Sequence, residues 1–160
     1  MLEEQVFDAR MHDRAAFHCG LPALDDYLQK YAAQQNAKVI STTFVLVDDA
    51  APRKILGFYT LSAAQVGVHQ LSDMERKKLP RYPVPCFRLG RLARDTASRG
   101  GGLGEVLIGC AVDRCLNARR LVGAYALLVD AKDEKSKSFY ERYGFVPCVD
   151  VPMTLYLPLS

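Results

Sequence analysis

The stretch Arg99-Gly-Gly-Gly-Leu-Gly104 is the feature around which we expect the chain to be organised. Glycine has no side chain to bury and loses more conformational freedom on folding than other residues, so three in a row indicate a tight turn or a close approach to another molecule. Beyond them, up to Ala118, apolar residues recur at three- and four-residue spacing, as in an amphipathic helix. These residues are Leu103, Val106, Leu107, Cys110 and Ala111. The glycines therefore precede a helix N-terminus, which favours phosphate and other anions.

The spacing of these glycines excludes two common phosphate-binding motifs. Leu107 breaks the Gly-x-Gly-x-x-Gly pattern, and no Lys-Ser or Lys-Thr pair completes a P-loop. The pattern Arg-x-x-Gly-x-Gly, formed by Arg99, Gly102 and Gly104 after the apolar run 87–93, resembles the pyrophosphate-binding motif of the GNAT superfamily of N-acetyltransferases. Members of that superfamily hold acetyl-coenzyme A at this turn. Taken alone, the element is also compatible with a loop that closes on a helix without a ligand.

A second motif follows in the expected order. The segment Ser138-Phe-Tyr-Glu-Arg-Tyr-Gly-Phe145 resembles the superfamily's helix that carries a tyrosine and ends at glycine before a last pair of strands. The resemblance implies an α+β acetyltransferase fold, with a mixed, mostly antiparallel central sheet flanked by helices and splayed at its central strand pair. We expect residues 1–160 to form a single GNAT domain.

Composition sets limits on class and compartment. With 160 residues, 49% hydrophobic and 24% charged, the chain has the length and balance of one globular domain. The first ten residues are acidic and mixed, and no run approaches the ~20 apolar residues of a membrane span. We therefore expect a cytoplasmic protein without a membrane segment. Five cysteines without a Cys-x-x-Cys, and three histidines without ligand spacing, predict reduced thiols and no metal site.

Local patterns predict an alternation of strands and helices after an initial hairpin. The strands are predicted at 4–8, 42–47, 55–61, 87–93, 125–129 and 153–157. The helices are predicted from Pro22, from Ser72, at 105–118 and at 133–143, and a proline-rich loop is predicted at 79–85. The apolar face of the first helix consists of Leu24, Tyr27, Leu28 and Tyr31. The run 125–129 is apolar throughout, which favours a strand that is covered on both faces.

Positive charge is concentrated in one region. Residues 76–99 contain eight basic residues and one acid, Asp95, so this segment carries +7 and the rest of the chain −4. This asymmetry predicts an anionic partner, which could be a nucleic acid. The alternative is that residues 76–78 only solvate a helix end, while Arg94 and Arg99 bind cofactor phosphates.

Three further segments narrow the resemblance. They are Phe17-His-Cys-Gly-Leu-Pro-Ala-Leu-Asp-Asp-Tyr-Leu28, Gly57-Phe-Tyr-Thr-Leu-Ser62 and Leu155-Tyr-Leu-Pro-Leu159. Together they resemble the GNAT toxins of bacterial toxin–antitoxin modules. Members of that group acetylate the α-amino group of aminoacyl-tRNA, which blocks translation. The resemblance further implies a homodimer and a ribbon-helix-helix antitoxin, which supplies the binding to DNA; we expect no direct DNA binding by this chain alone.

The resemblance also implies roles for individual residues. Tyr140 would protonate the coenzyme A thiolate as it leaves, and the backbone near Leu92, Ala93 and Arg94 would pair with the pantetheine arm as an added strand. The pyrophosphate would be bound by Arg99, Gly100, Gly101, Gly102, Leu103, Gly104 and Glu105. Phe139 is assigned to the cofactor site, with core packing as its alternative. The tRNA would be bound by Lys77, Lys78, Arg81 and Arg91.

No residue is singled out as the general base. An α-amino group has a pKa of about 7.7–8.0, and an adjacent ester should lower it further, so much of the amine is neutral at working pH without a base. Asp95, Glu105 and Asp130 remain candidate bases. Two other functions are also open: acetylation of a small amine or a protein N-terminus, and a non-catalytic role in which coenzyme A is structural and the chain acts by binding its antitoxin.

Overall fold

The computed structural model describes residues 1–98 and 101–160, so the predicted roles of Arg99 and Gly100 lie outside the described residues. The strands are β1 (Leu2–Val6), β2 (Thr42–Asp48), β3 (Gly57–Val66), β4 (Val84–Arg94), β5 (Ala126–Asp130), β6 (Val146–Pro147) and β7 (Thr154–Pro158). The helices are α1 (Pro22–Asp26), α2 (Ala32–Ala37), α3 (Asp73–Arg76), α4 (Leu103–Ala118) and α5 (Glu134–Glu141). A π-helical turn spans Tyr27–Tyr31, and 3-10 turns span Val68–Gln70 and Thr96–Ser98.

The seven strands form one sheet in the order β1-β2-β3-β4-β5-β7-β6. Strands β1–β2, β2–β3, β5–β7 and β6–β7 pair antiparallel, whereas β4 and β5 pair parallel. The predicted α+β fold with a mixed, mostly antiparallel sheet is therefore confirmed. The chain divides into two compact units, Met1–Ser62 with Gly90–Asp113 and Ala63–Leu89 with Arg114–Ser160. The assignment of 1–160 to a single domain stays a prediction.

In the first unit, the helical segment 22–37 packs on strands β2 and β3. Its buried partners include Phe17, Val45 and Phe58, and the rings of Phe17 and Phe58 meet edge to face at 5.5 Å. Pro22 occupies the first turn, as predicted, where a missing N–H costs no hydrogen bond. The first strand spans Leu2–Val6 and not 4–8, and it ends before Asp8 because the Asp8 carboxylate accepts the Arg10 N–H and starts a turn there.

The predicted apolar face of the first helix is correct only in its first half. Tyr27 and Leu28 are buried, but Tyr31 is 51% exposed and Ala32 is buried instead. The cause is the π-helical turn at Tyr27–Tyr31, because one extra residue in a turn rotates the following side chains by about one position. A strict helical period therefore places the core residue one position too early.

The second unit surrounds β5. Its residues Ala126, Leu127, Leu128 and Val129 are at most 1% exposed, which confirms the strand covered on both faces. The loop prediction for 79–85 is wrong at its end, because β4 already begins at Val84. Pro85 is tolerated near the start of this strand, since its carbonyl, which proline retains, accepts the Tyr125 N–H at 2.8 Å.

Within the described residues, no helix combines the length and the apolar content that crossing a bilayer requires.

Candidate active site

The C-terminal end of β4 extends beyond its pairing with β5. The parallel register runs from Cys86 opposite Ala126 to Leu89 opposite Val129, whereas β4 continues to Arg94. The backbone predicted to pair with pantetheine lies in this extension. Here Leu92 is half-buried, Ala93 is buried and Arg94 is exposed. A strand end that continues past its partner can offer backbone donors and acceptors to an extended ligand.

The glycine turn leads directly into α4. Gly101 and Gly102 are exposed, and Gly102 has a φ of +69°, a left-handed conformation that favours glycine. A Cβ at Gly102 would meet no atom of residues 1–98 and 101–160 within 4 Å, so these residues leave the space beside this backbone open. The first intrahelical bond here runs from the Val106 N–H to the Gly102 carbonyl at 3.2 Å. Because the N–H groups ahead of it have no helical acceptor, the turn can bind an anion.

Buried side chains of α4 hold the glycine turn in position. Leu103, Leu107 and Ala111 are buried as the periodicity predicts. Val106 and Cys110 are only half-buried, and Ile108 and Cys115 complete the buried face in their stead. The N-terminal end of α4 is thus anchored by Leu103, which is 6% exposed, while Glu105 in the first turn is exposed.

Gly57 in β3 allows α4 to lie close to the sheet. A Cβ at Gly57 would stand 2.8 Å from the Leu107 Cδ1, closer than real Cβ atoms come, and 3.0 Å from the Ala93 carbonyl oxygen, which is a tight contact. Gly57 therefore helps to position both α4 and the β4 extension. Its signal in the sequence is a glycine at the start of a strand pattern, which indicates a close approach.

Asp95 connects β4 to the turn. Its buried carboxylate accepts the His18 N–H at 3.1 Å and the Ala97 N–H at 2.9 Å, and its own N–H donates to the Leu56 carbonyl at 2.8 Å. Both carboxylate oxygens thus accept backbone donors. Asp95 was predicted only as a candidate base, and this geometry gives it a structural role.

A second buried carboxylate, that of Asp25, extends the hydrogen bonds of Asp95. Its role was not predicted from the sequence. It accepts the Cys19 N–H at 2.9 Å and lies 3.1 Å from the Nδ1 of His18. The His18 carbonyl in turn accepts the Thr96 N–H at 2.9 Å. The connector before α1 is therefore fixed to the residues that precede the glycine turn.

Tyr140 lies in α5 and is 8% exposed. Its ring meets Phe139 and Phe145 edge to face at 5.3 and 5.6 Å. Burial raises the pKa of Tyr140 to about 12, so the phenol keeps its proton at neutral pH and can donate it. Asp133 caps this helix by accepting the Ser136 N–H at 2.7 Å.

Phe139, assigned to the cofactor site, is half-buried between other aromatic rings. It contacts Tyr140 and also Tyr143, at 5.2 Å edge to face. These contacts give it a packing role beside Tyr140, and its contact with a cofactor stays a prediction.

The four residues assigned to tRNA do not share one segment. Lys77, Lys78 and Arg81 are exposed and follow α3, in the second unit. Arg91 lies in the first unit, where its guanidinium carbon is 3.6 Å from the centroid of the Tyr27 ring. This cation–π contact stabilises the π-helical turn and half-buries Arg91.

Asp130, the third candidate base, is already paired. It forms an ion pair with Arg88 and accepts the Thr154 hydroxyl at 2.7 Å. In the part of the chain that the structure describes, no three histidine, cysteine or acidic side chains gather as metal ligands.

Comparison with known proteins agrees with this arrangement. The model of the Acetyltransferase (GNAT) family matches residues 9–145. A tRNA-acetylating toxin of Mycobacterium tuberculosis (strain ATCC 25618 / H37Rv) is 34% identical over 91% of this chain and 85% of its own. AtaT complexed with acetyl-methionyl-tRNAfMet is 30% identical, with a TM-score of 0.92 over 99% of this chain and 95% of that one. A mutant AtaT bound to the C-terminus of the antitoxin AtaR and acetyl-CoA is 28% identical, with a TM-score of 0.83 over 99% and 93%. The chain belongs to the Acetyltransferase (GNAT) family.

Proposed function

We propose that the protein is a toxin that transfers the acetyl group of acetyl-CoA to the α-amino group of aminoacyl-tRNA and thereby inhibits translation. The observation that carries the catalytic part is Tyr140, a buried phenol that keeps its proton, in a chain whose glycine turn opens a helix N-terminus. The likeness to a tRNA-acetylating toxin and to a tRNA complex of AtaT supports the choice of substrate.

Acetyl-CoA supplies an activated acetyl thioester, and the turn fits its pyrophosphate. The open space beside Gly102 admits a phosphate close to the backbone, and the first N–H groups of α4 lack helical acceptors and so can bind it. Arg94 is exposed at the end of β4 and adds a positive charge. The backbone of Leu92, Ala93 and Arg94 orients the pantetheine arm by strand-like pairing.

Tyr140 acts when the amine displaces the thiol. The new C–N bond forms as the C–S bond breaks, and the departing sulfur takes the phenolic proton, which is restored from solvent. A free α-amino group titrates at about 7.7–8.0, and the adjacent ester should lower the pKa of the substrate amine further, so much of this amine is neutral at working pH. The attacking nitrogen releases a proton to water after attack. The ion pair of Asp130 and the backbone bonds of Asp95 leave these two carboxylates with structural roles.

We further propose that a cognate ribbon-helix-helix antitoxin neutralises the toxin in the cytoplasm and that the toxin is a homodimer. The AtaT complex with the antitoxin AtaR supports the first partner. Contact with operator DNA would come through the antitoxin.

The choice of aminoacyl-tRNA as substrate can be tested by changing the basic segment after α3. We expect the triple variant Lys77→Ala, Lys78→Ala, Arg81→Ala to weaken the binding of tRNAs of different acceptor identity alike, because phosphate contacts position a ligand without reading its sequence. Each lost contact should also flatten the plot of log affinity against log salt by about 0.7–0.9. Filter binding of charged tRNA at several salt concentrations measures both, and the affinity for acetyl-CoA should be unchanged.

A matched control separates local contacts from net charge. Lys38, Arg119 and Arg120 are exposed and lie outside the basic segment, so their triple replacement by alanine removes the same charge. We expect this control to leave the salt slope close to that of the wild type. The tRNA substrate would be contradicted, and a small amine favoured, by two results together. The wild type would acetylate charged tRNA no better than a free amino-acid ester, and replacing Lys77, Lys78 and Arg81 would leave the rate unchanged.

A further inference from the structure

Tyr82 stands out in the basic loop, which we define as residues 76–83. Its side chain is 63% exposed between Pro80 and Pro83 and directly follows Arg81. Within the described residues its ring stacks on no aromatic neighbour and its hydroxyl forms no hydrogen bond. A single exposed aromatic residue is common on protein surfaces, so its surroundings must show whether it serves a ligand.

The N-terminal side of the basic loop is anchored by two other tyrosines. The hydroxyl of Tyr156 accepts the Ser72 N–H at 3.0 Å, just before α3. The hydroxyl of Tyr125 donates to the Glu75 carboxylate within α3. Burial and the bond to Glu75 raise the pKa of Tyr125, so it keeps the proton that it donates. Helix α3, one turn long, is thus held by bonds to the sheet and its flank.

The C-terminal side is anchored by apolar packing. Leu79 packs against the buried cluster of the second unit, and Val84, where β4 begins, is 3% exposed. Pro80 and Pro83 fix φ near −65° on either side of Tyr82. Because the loop is held at both ends and stiffened between them, less conformational entropy of the loop is lost when a ligand stacks on Tyr82.

The charges around Tyr82 favour a nucleic acid strand. Lys77, Lys78 and Arg81 are exposed, whereas Arg76 is already paired with Asp73. Cations at a few residues' distance from an exposed aromatic ring form the usual combination for single strands, in which cations neutralise phosphates and the ring stacks on a base. An aminoacyl ester lies at the end of such an unpaired strand.

We propose that Tyr82 is a stacking platform for an unpaired base near the 3′ end of the aminoacylated RNA. The inference rests on the proposed function and extends it with a residue that binds the substrate through a base and not through phosphate. Stacking uses the face of the ring, so the hydroxyl is dispensable and the choice among bases is broad.

The test compares Tyr82→Ala with Tyr82→Phe, and with Tyr31→Ala as a matched control, since Tyr31 is 51% exposed and lies outside the basic loop. We expect Tyr82→Ala to raise the Kd for charged tRNA by roughly 5- to 150-fold, the range of one lost base–aromatic stack. Tyr82→Phe and Tyr31→Ala should stay within about twofold of the wild type. The salt slope should not change with any of the three, because no charge is removed.

A second ligand distinguishes a base contact from a disturbed loop. An RNA hairpin with the same acceptor stem but a blunt end has no unpaired 3′ strand, so its affinity should be the same for the wild type and Tyr82→Ala. Equal losses for both RNAs, or an altered salt slope, would overturn the platform and indicate a displaced basic loop. If the wild type acetylates charged tRNA and Tyr82→Ala binds it equally well, the platform alone fails. If the wild type neither binds nor acetylates charged tRNA, the proposed function fails and the platform with it.

Discussion

Tyr140→Phe is expected to lower the turnover of acetyl transfer by about 10²–10⁴-fold, the usual cost of a lost general acid. The change removes only the hydroxyl, and the phenylalanine ring can keep the edge-to-face contacts with Phe139 and Phe145. The affinity for acetyl-CoA and the melting temperature should therefore be close to those of the wild type. Single-turnover transfer from labelled acetyl-CoA to charged tRNA measures the chemical step directly.

Tyr143→Phe is the control for this experiment. Tyr143 lies three residues away, is partly buried and contacts Phe139, so it carries the same chemical change without the assigned role. We expect its turnover to stay near the wild-type value. If the Tyr140→Phe variant keeps wild-type turnover and growth inhibition, Tyr140 is a packing residue. Growth inhibition that does not depend on Tyr140 would favour the non-catalytic alternative.

Gly102→Asp is expected to abolish measurable binding of acetyl-CoA. The substitution places a side chain in the open space where the pyrophosphate approaches, and its negative charge repels the phosphates. The φ of +69° adds strain for any residue with a Cβ. Calorimetric titration with acetyl-CoA measures the affinity, and circular dichroism reports whether the variant is folded.

Gly123→Asp provides the matched control, because Gly123 is also exposed and an added Cβ there would meet no described atom within 4 Å. It introduces the same charge after the other end of α4, so its affinity for acetyl-CoA should be nearly normal. A folded Gly102→Asp variant that binds acetyl-CoA as tightly as the wild type would show that the turn does not hold the pyrophosphate.

Structural features that depend on consecutive residues could be predicted from the sequence. The glycine turn before α4 and the apolar run of β5 depend on local patterns, and both appear where those patterns place them. Tyr140 was assigned through its surrounding motif, since a tyrosine among aromatic neighbours carries no chemical signal of its own, and its catalytic role stays a prediction. Its burial and the resulting pKa depend on the tertiary packing.

Features that depend on distant partners could not be predicted in this way. The bond between the His18 N–H and Asp95 joins residues 77 positions apart, and no local pattern reports it. The π-helical turn changes the helical phase within α1 and α2, so the fixed period placed Tyr31 in the core instead of Ala32. Likewise, the crowding around Gly57 involves α4 and β4, which follow it by tens of residues.

The burial of Tyr140 has a consequence for how the enzyme responds to pH. The substrate amine must be neutral to attack, so the rate should rise with pH up to the pKa of that amine, which the adjacent ester places below the 7.7–8.0 of a free α-amino group. On the alkaline side, a phenol with a pKa of about 12 remains protonated well beyond the range in which cells live, so Tyr140 imposes no decline there. The acid limb of the profile then reports the titration of the substrate amine and not of the protein, so aminoacyl esters with less basic amines should be acetylated at lower pH.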